Sequence, residues 1–211
     1  MRFQLHRLFC SPSALVLLAM LAVLPAAHGA GDLSPQELVR DTSSRMLMAM
    51  RNEHDAIVKD SDQLYRLVSE IVLPYFDFER MSQWVLGKNW RTATPQQRER
   101  FVGQFRDLLV RTYGTALSEY ANEKIVYLPF VDDGKSGTVT VRTEIEQGGS
   151  TIPISYSMYQ GSNGWKVYDV SISGVSLVTN YRSTFGSIIR DKGMDSLIQQ
   201  LSERNTGKSD G

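Results

Sequence analysis

One stretch, Trp165–Phe185 (WKVYDVSISGVSLVTNYRSTF), narrows the fold more than any other in the chain. The β-formers Trp, Val, Tyr, Val and Ile crowd Trp165–Ser173, directly after the turn pair Asn163-Gly164. Apolar alternation changes face near Asp169, from Trp165/Val167 to Val170/Ile172. A slip of one residue in a strand is the mark of a β-bulge, which bends the strand and lets a sheet curl. Gly174 then breaks the strand, and Leu177, Tyr181, Phe185 and Ile188 recur at spacings of four, four and three, one face of a helix. A curled sheet with a helix across its concave side encloses a space.

Upstream, the first thirty residues are expected to be removed. Arg2 and Arg7 give a positive start, Leu8–Leu24 is an apolar run, and Pro25–Ala30 is small and cleavable, the pattern of a secretory signal peptide. The single cysteine, Cys10, follows Phe9 within the signal and not after it, which excludes a lipoprotein signal. Cleavage would leave no thiol, no disulfide and His54 as the sole imidazole. Loss of Arg2 and Arg7 lowers the basic count from 23 to 21 against 23 acidic residues, a net charge of −2. Nothing basic recommends nucleic acid, and no second apolar run is long enough to span a membrane. An exported periplasmic protein is expected.

The remaining chain divides into helices, then strands, then helices. Ser34-Pro35-Gln36-Glu37 is a capping box that opens a helix with Leu38, Thr42, Met46 and Met50 on one face. Ser61 is the expected cap of a second helix, with Leu64, Leu67, Val68 and Ile71, stopped by Pro74; Asp77 caps a third, Phe78–Leu86, ended by Gly87. Thr94-Pro95-Gln96-Gln97 starts the longest, with Phe101, Phe105, Leu108, Leu109, Thr112, Tyr113, Ala116, Leu117 and Tyr120 along one side. Strands follow at Ile125–Phe130 and, beyond a turn at Val131–Lys135, at Thr138–Ile145. In the latter Val139, Val141 and Ile145 oppose Thr138, Thr140, Arg142 and Glu144. Ile152, Ile154, Tyr156 and Met158 form the next inward row, with Pro153 on the outer row favouring an edge or an irregularity. The pattern predicts a single α+β domain over 31–204, with a curved antiparallel sheet of about four strands packed on several helices, and a disordered tail at 205–211.

Catalytic signatures are scarce. The chain has no glycine-rich phosphate loop, GxSxG, HExxH or paired cysteines, and His54 lies in the charged run Arg51–Asp55, a solvated helix face. Metal ligation lacks an imidazole or thiolate cluster, so no metal and no cofactor are expected. Tyr168-Asp169 is the one candidate acid–base pair, although an Asp at a bulge more often satisfies backbone groups.

Four segments in order resemble the MlaC family of periplasmic phospholipid carriers, also called the toluene-tolerance family: LPYFDFERMSQWVLGKNWR (73–91), TPQQRERFVGQF (94–105), LLVRTYGTAL (108–117) and GWKVYDVSISGVSLVTNYRSTF (164–185). The resemblance spans about Leu73–Leu201 and is most specific in the last segment. It implies a non-enzymatic carrier with a deep apolar cavity for acyl chains and the head group towards solvent. It further implies phospholipid as cargo. As partners it implies an outer-membrane lipoprotein–porin complex and an inner-membrane ABC transporter with an MCE-domain subunit, together preserving outer-membrane lipid asymmetry.

On that reading one cavity wall would hold Val139, Val141, Ile145, Ile152, Ile154, Tyr156, Met158, Val167, Val170 and Ile172. The other would hold Phe105, Leu109, Tyr113, Tyr181 and Phe185, with Arg182 a candidate for an anionic head group or simply for a surface salt bridge. Periodicity by itself says only that these residues face inward; a filled core fits the same pattern. The need for a carrier is physical. At about 0.8 kcal/mol per methylene, exposing a sixteen-carbon chain to water costs on the order of 12 kcal/mol. A lipid-free periplasmic adaptor with a filled core, and a small-molecule enzyme using Tyr168 and Asp169, are the alternatives.

Overall fold

Five strands form an antiparallel meander in the order β1-β2-β3-β4-β5 in the computed structural model, which describes residues 33–119, 122–130 and 137–207. They are β1 (Lys124–Tyr127), β2 (Thr138–Gln147), β3 (Ser150–Gly161), β4 (Gly164–Ile172) and the two-residue β5 (Val175–Ser176). The fifth strand arises because Ser173 (φ 50°) and Gly174 (φ 81°) turn the chain back at once, the positive-φ pair of a tight hairpin.

The bulge lies where the alternation slips. Met158 pairs with Val167 and Ser157 with Asp169, so Tyr168 is the extra residue. Val167 and Val170 are consequently both buried on the same face, three residues apart. Val167 also accepts a hydrogen bond from Asp77 N at 2.9 Å, pinning the segment before the third long helix to the bulge. Pro153, expected near an edge, occupies the interior strand β3 opposite Glu144. Its carbonyl accepts from Ser173 N, one residue past the last β3–β4 pair, Ile154–Ile172, so the proline lies opposite the end of β4.

Before the sheet come α1 (Pro35–Asn52), α2 (His54–Lys59), α3 (Ser61–Ile71), a 3₁₀ turn (Leu73–Tyr75), α4 (Phe78–Leu86), α5 (Lys88–Thr92) and α6 (Pro95–Glu119); α7 (Leu177–Lys192) and α8 (Met194–Asn205) follow it. The Ser34/Glu37 capping box is formed on both sides, as are the reciprocal Thr94–Gln97 hydrogen bonds. Asp60, one residue before Ser61, is the cap of α3, because its carboxylate accepts from Asp62 N. Helix α8 runs through Asn205, whose amide donates to Gln104 O and Oε1, so the polar tail begins later than composition indicates. Residues 1–30, the turn at 131–135, the side chains of Ala116 and Leu117, Tyr120, and 208–211 lie outside the described residues.

Two hydrophobic clusters hold the fold. The larger joins the start of α1 (Leu38, Val39), α4, α6, α7, α8 and the sheet, and is centred on Phe101, Phe105, Met81, Leu108, Val141, Met158, Leu197 and Ile198. The smaller joins α1 to α3 through Met46, Met50, Leu64, Leu67 and Val68. Met46 and Met50 are therefore core residues, whereas Met48 is exposed.

Candidate functional site

Between the two clusters the packing is interrupted by a cavity of about 540 Å³. Its walls come from α1, α3, the 3₁₀ turn, α4, α6 and the start of α7 on the helical side and from β1, β2, β3 and β4 on the other. Beside it the aromatic side chains of α6 and α7 pack on one another. Phe105, Phe101, Tyr181 and Phe185 lie with ring centroids 5.2–6.0 Å apart. None of the cavity's described lining residues is Asp, Glu, Lys, Arg or His.

Of the fifteen apolar positions read from the sequence, ten line this space. Leu109 and Tyr113 do so from α6, Ile145 from β2, Ile152, Ile154, Tyr156 and Met158 from β3, and Val167, Val170 and Ile172 from β4. The other five lie elsewhere. Phe105, Tyr181 and Phe185 belong to the aromatic cluster, Val141 is wholly buried in the larger core, and Val139 packs against it. Arg182 is not among the lining residues; its guanidinium lies over Gly87, at the α4–α5 junction. Helix α1 supplies a wall that sequence reasoning did not assign to the site, through Leu38, Val39, Thr42, Ser43, Met46, Leu47 and Met50. Thr143 was missed as well, although it falls in phase with Val139, Val141 and Ile145 on β2.

Such a site can surround hydrocarbon but has little with which to neutralise charge. Tyr113 and Tyr156 hold their protons: burial pushes the Tyr113 phenol up to about 12, helped by neighbouring Tyr181, and burial likewise raises Tyr156. The Thr143 hydroxyl is near enough to pull Tyr156 back slightly but completes no hydrogen bond of ordinary geometry.

The candidate acid–base pair is engaged in other ways. Asp169 Oδ1 accepts from Val178 N (3.1 Å) and Oδ2 from the Ser176 hydroxyl (2.6 Å), which itself accepts from Thr179 N (3.0 Å). This carboxylate therefore caps α7. The Tyr168 ring packs at a tilt against Trp84 and Tyr159, with Arg80 above it. His54 is exposed beside Asp55. Among the described residues no cluster of His, Cys, Asp and Glu could hold a metal ion.

A family model described as MlaC protein matches residues 40–203. The chain belongs to the MlaC family. Two curated relatives match over most of their length. The intermembrane phospholipid transport system binding protein MlaC of Haemophilus influenzae is 26% identical over 186 residues, 86% of this chain and 87% of that one. The toluene tolerance protein ttg2D of Pseudomonas putida is 28% identical over 181 residues, 85% and 83% of the two chains. A solved phospholipid-binding protein from Ralstonia solanacearum, in complex with a phospholipid, superposes with a TM-score of 0.78 at 31% identity, covering 84% of this chain and all of that one. The α+β architecture with a curved, open sheet is thus the one this MlaC-family chain shares with a lipid-bound neighbour.

Proposed function

We propose that this chain is a periplasmic carrier that holds a glycerophospholipid by its acyl chains, head group outward, and passes it between membrane complexes without chemistry. The observation that carries the reading is the 540 Å³ cavity, opened between two hydrophobic clusters and lined, among the described residues, without Asp, Glu, Lys, Arg or His. Acyl chains there regain the apolar contacts they lose on leaving a bilayer. A phosphate drawn into the same space would meet no cation and bear the full cost of desolvation, which keeps the head group at the rim.

Acyl contact is assigned to the ten predicted residues on the cavity wall and to the α1 face. The partners are those that the family resemblance implies, an outer-membrane lipoprotein–porin complex and an inner-membrane ABC transporter with an MCE-domain subunit. No helix among the described residues is long and apolar enough to cross a membrane. The occupation of both Asp169 oxygens by α7 favours a carrier over an enzyme. Native mass spectrometry of protein purified without detergent, with lipid extraction alongside, tests the proposal. A mass excess equal to one or two phospholipids is expected. Protein that contains no lipid and takes none from phospholipid vesicles would refute it.

A further inference from the structure

Two hydroxyls in this apolar cavity complete no hydrogen bond among the described residues, although the Tyr156 side chain lies close to one of them, that of Thr143. Thr143 is buried to 1% exposure in the middle of β2, and its Oγ1 makes no hydrogen bond; the buried Oγ1 of Thr42, on α1, makes none either. Both residues line the cavity, and α1 and β2 pack against each other, so the hydroxyls come from two touching elements. Tyr156 adds a third hydroxyl-bearing side chain to the same wall: Thr143 faces Ile154 across the β2–β3 ladder, and Tyr156 is the diagonal neighbour.

Valine has nearly the shape of threonine. A buried hydroxyl without a partner is costly, whereas valine in the same place costs nothing of the kind. Threonine at 143, in phase with three aliphatic residues, therefore points to a partner that the described residues do not supply. The partner must accept a hydrogen bond and must be uncharged, since no cation accompanies the hydroxyls. It must also be attached to hydrocarbon that fills the rest of the space. An acyl carbonyl meets all three conditions.

Resting on the carrier reading, we infer that the hydroxyls of Thr143 and Thr42 form a polar anchor that donates hydrogen bonds to an acyl ester carbonyl, so that the cavity selects ester-linked over ether-linked chains. The anchor also fixes depth, because the carbonyl lies at the root of the chain. Methylenes then occupy the space beyond it, and the phosphate stays outside.

The test compares dipalmitoyl phosphatidylcholine with its dihexadecyl ether analogue, matched in head group and chain length, as competitors for a bound fluorescent acyl probe. Palmitate is added as a third competitor. The delipidated wild-type protein is expected to favour the diester about fivefold to tenfold over the diether, and Thr143→Val to bring that ratio below about twofold. Thr143→Ser, which keeps the hydroxyl, restores the preference, and Thr42→Val lowers it partway. Circular dichroism establishes that each variant is folded. Palmitate competing as well as the diester, and equally sensitive to Thr143→Val, would assign the anchor to free fatty acid and overturn the ester assignment. Equal wild-type affinity for diester and diether, or an undiminished ratio in Thr143→Val, would overturn the anchor while leaving the carrier standing. Binding of neither phosphatidylcholine would overturn both.

Discussion

Replacement of Asp169 separates a structural carboxylate from a catalytic one. Asp169 serves the first turn of α7 twice, directly at Val178 N and indirectly by orienting the Ser176 hydroxyl whose oxygen receives Thr179 N. Asp169→Ala removes both acceptors and the negative charge at a helix N-terminus. Hydrogen bonds to charged groups contribute about 1.5–3 kcal/mol, a cap about 0.5–2 and the helix dipole about 0.3–1, and these overlap, so a loss of about 3 kcal/mol is expected. Asp169→Asn keeps one oxygen for Val178 N and can donate to Ser176, so about 1 kcal/mol is expected from the lost charge. In urea, with a slope of about 2 kcal/mol per molar, the alanine variant should unfold about 1.5 M earlier and the asparagine variant about 0.5 M earlier. Because α7 carries Leu177 into the cavity wall, the alanine variant should also lose bound lipid during purification. Alanine and wild-type midpoints within about 0.3 M of each other would refute the capping argument. An asparagine variant that keeps its stability and lipid but loses a measurable turnover would restore the acid–base reading.

Phe105→Ala should cost about 3–5 kcal/mol by denaturant unfolding, since Phe105 is fully buried among aromatic rings, yet the folded variant should still carry lipid. Ile154→Trp, on the cavity wall, should behave oppositely: the fold survives in circular dichroism while the extractable lipid falls. Gly87→Ala should destabilise by about 1–3 kcal/mol in the same unfolding assay, because Gly87 has φ 54° and ψ −119° and a Cβ would sit 2.9 Å from Arg182 Nη2. Tyr113, with its pKa near 12 against 10 in the unfolded chain, binds its proton more tightly when folded; that stabilisation is complete below pH 10 and lost as pH rises from 10 to 12. Ultraviolet titration should show Tyr113 ionising after the exposed tyrosines, and Tyr113→Phe should flatten stability over that interval.

The sequence carried the architecture because its signals were local. A shift in alternation at Asp169 located the bulge, Gly87 and Gly174 ended their elements, and two boxes of polar residues started helices. The cavity wall on the sheet was legible for a similar reason: a curled sheet has one concave face, and period-two alternation assigns residues to it. The helical wall was not. Phe105, Tyr181 and Phe185 share the inward periodicity of Leu109 and Tyr113, but aromatic rings on two adjacent helices satisfy one another, and periodicity does not say whether an inward side chain meets a neighbour or a void. Helix α1 was invisible as a wall because its apolar face matches that of any helix docking on a core. Thr143 could have been found, since a polar residue in phase with an aliphatic row is the signal of a buried hydrogen-bonding task.

A core divided in two has an energetic consequence for cargo handling. Helix α1 belongs to both clusters, through Leu38 and Val39 in the larger and Met46 and Met50 in the smaller; it packs on β2, and the cavity is lined from both clusters. On the proposed function, acyl chains in that space would complete the contact between the clusters, making the lipid both cargo and missing core. Linkage then requires the loaded protein to be more stable than the empty one by an amount set by affinity and free lipid concentration. The same linkage supplies a release mechanism. A partner that binds better to a form in which α1 has moved from β2 weakens the lipid by the factor it gains. An engineered disulfide between α1 and β2 should therefore leave bound lipid in place and slow its transfer to acceptor vesicles or partner complexes. Transfer at the rate of the reduced protein would show that the lipid leaves by another route.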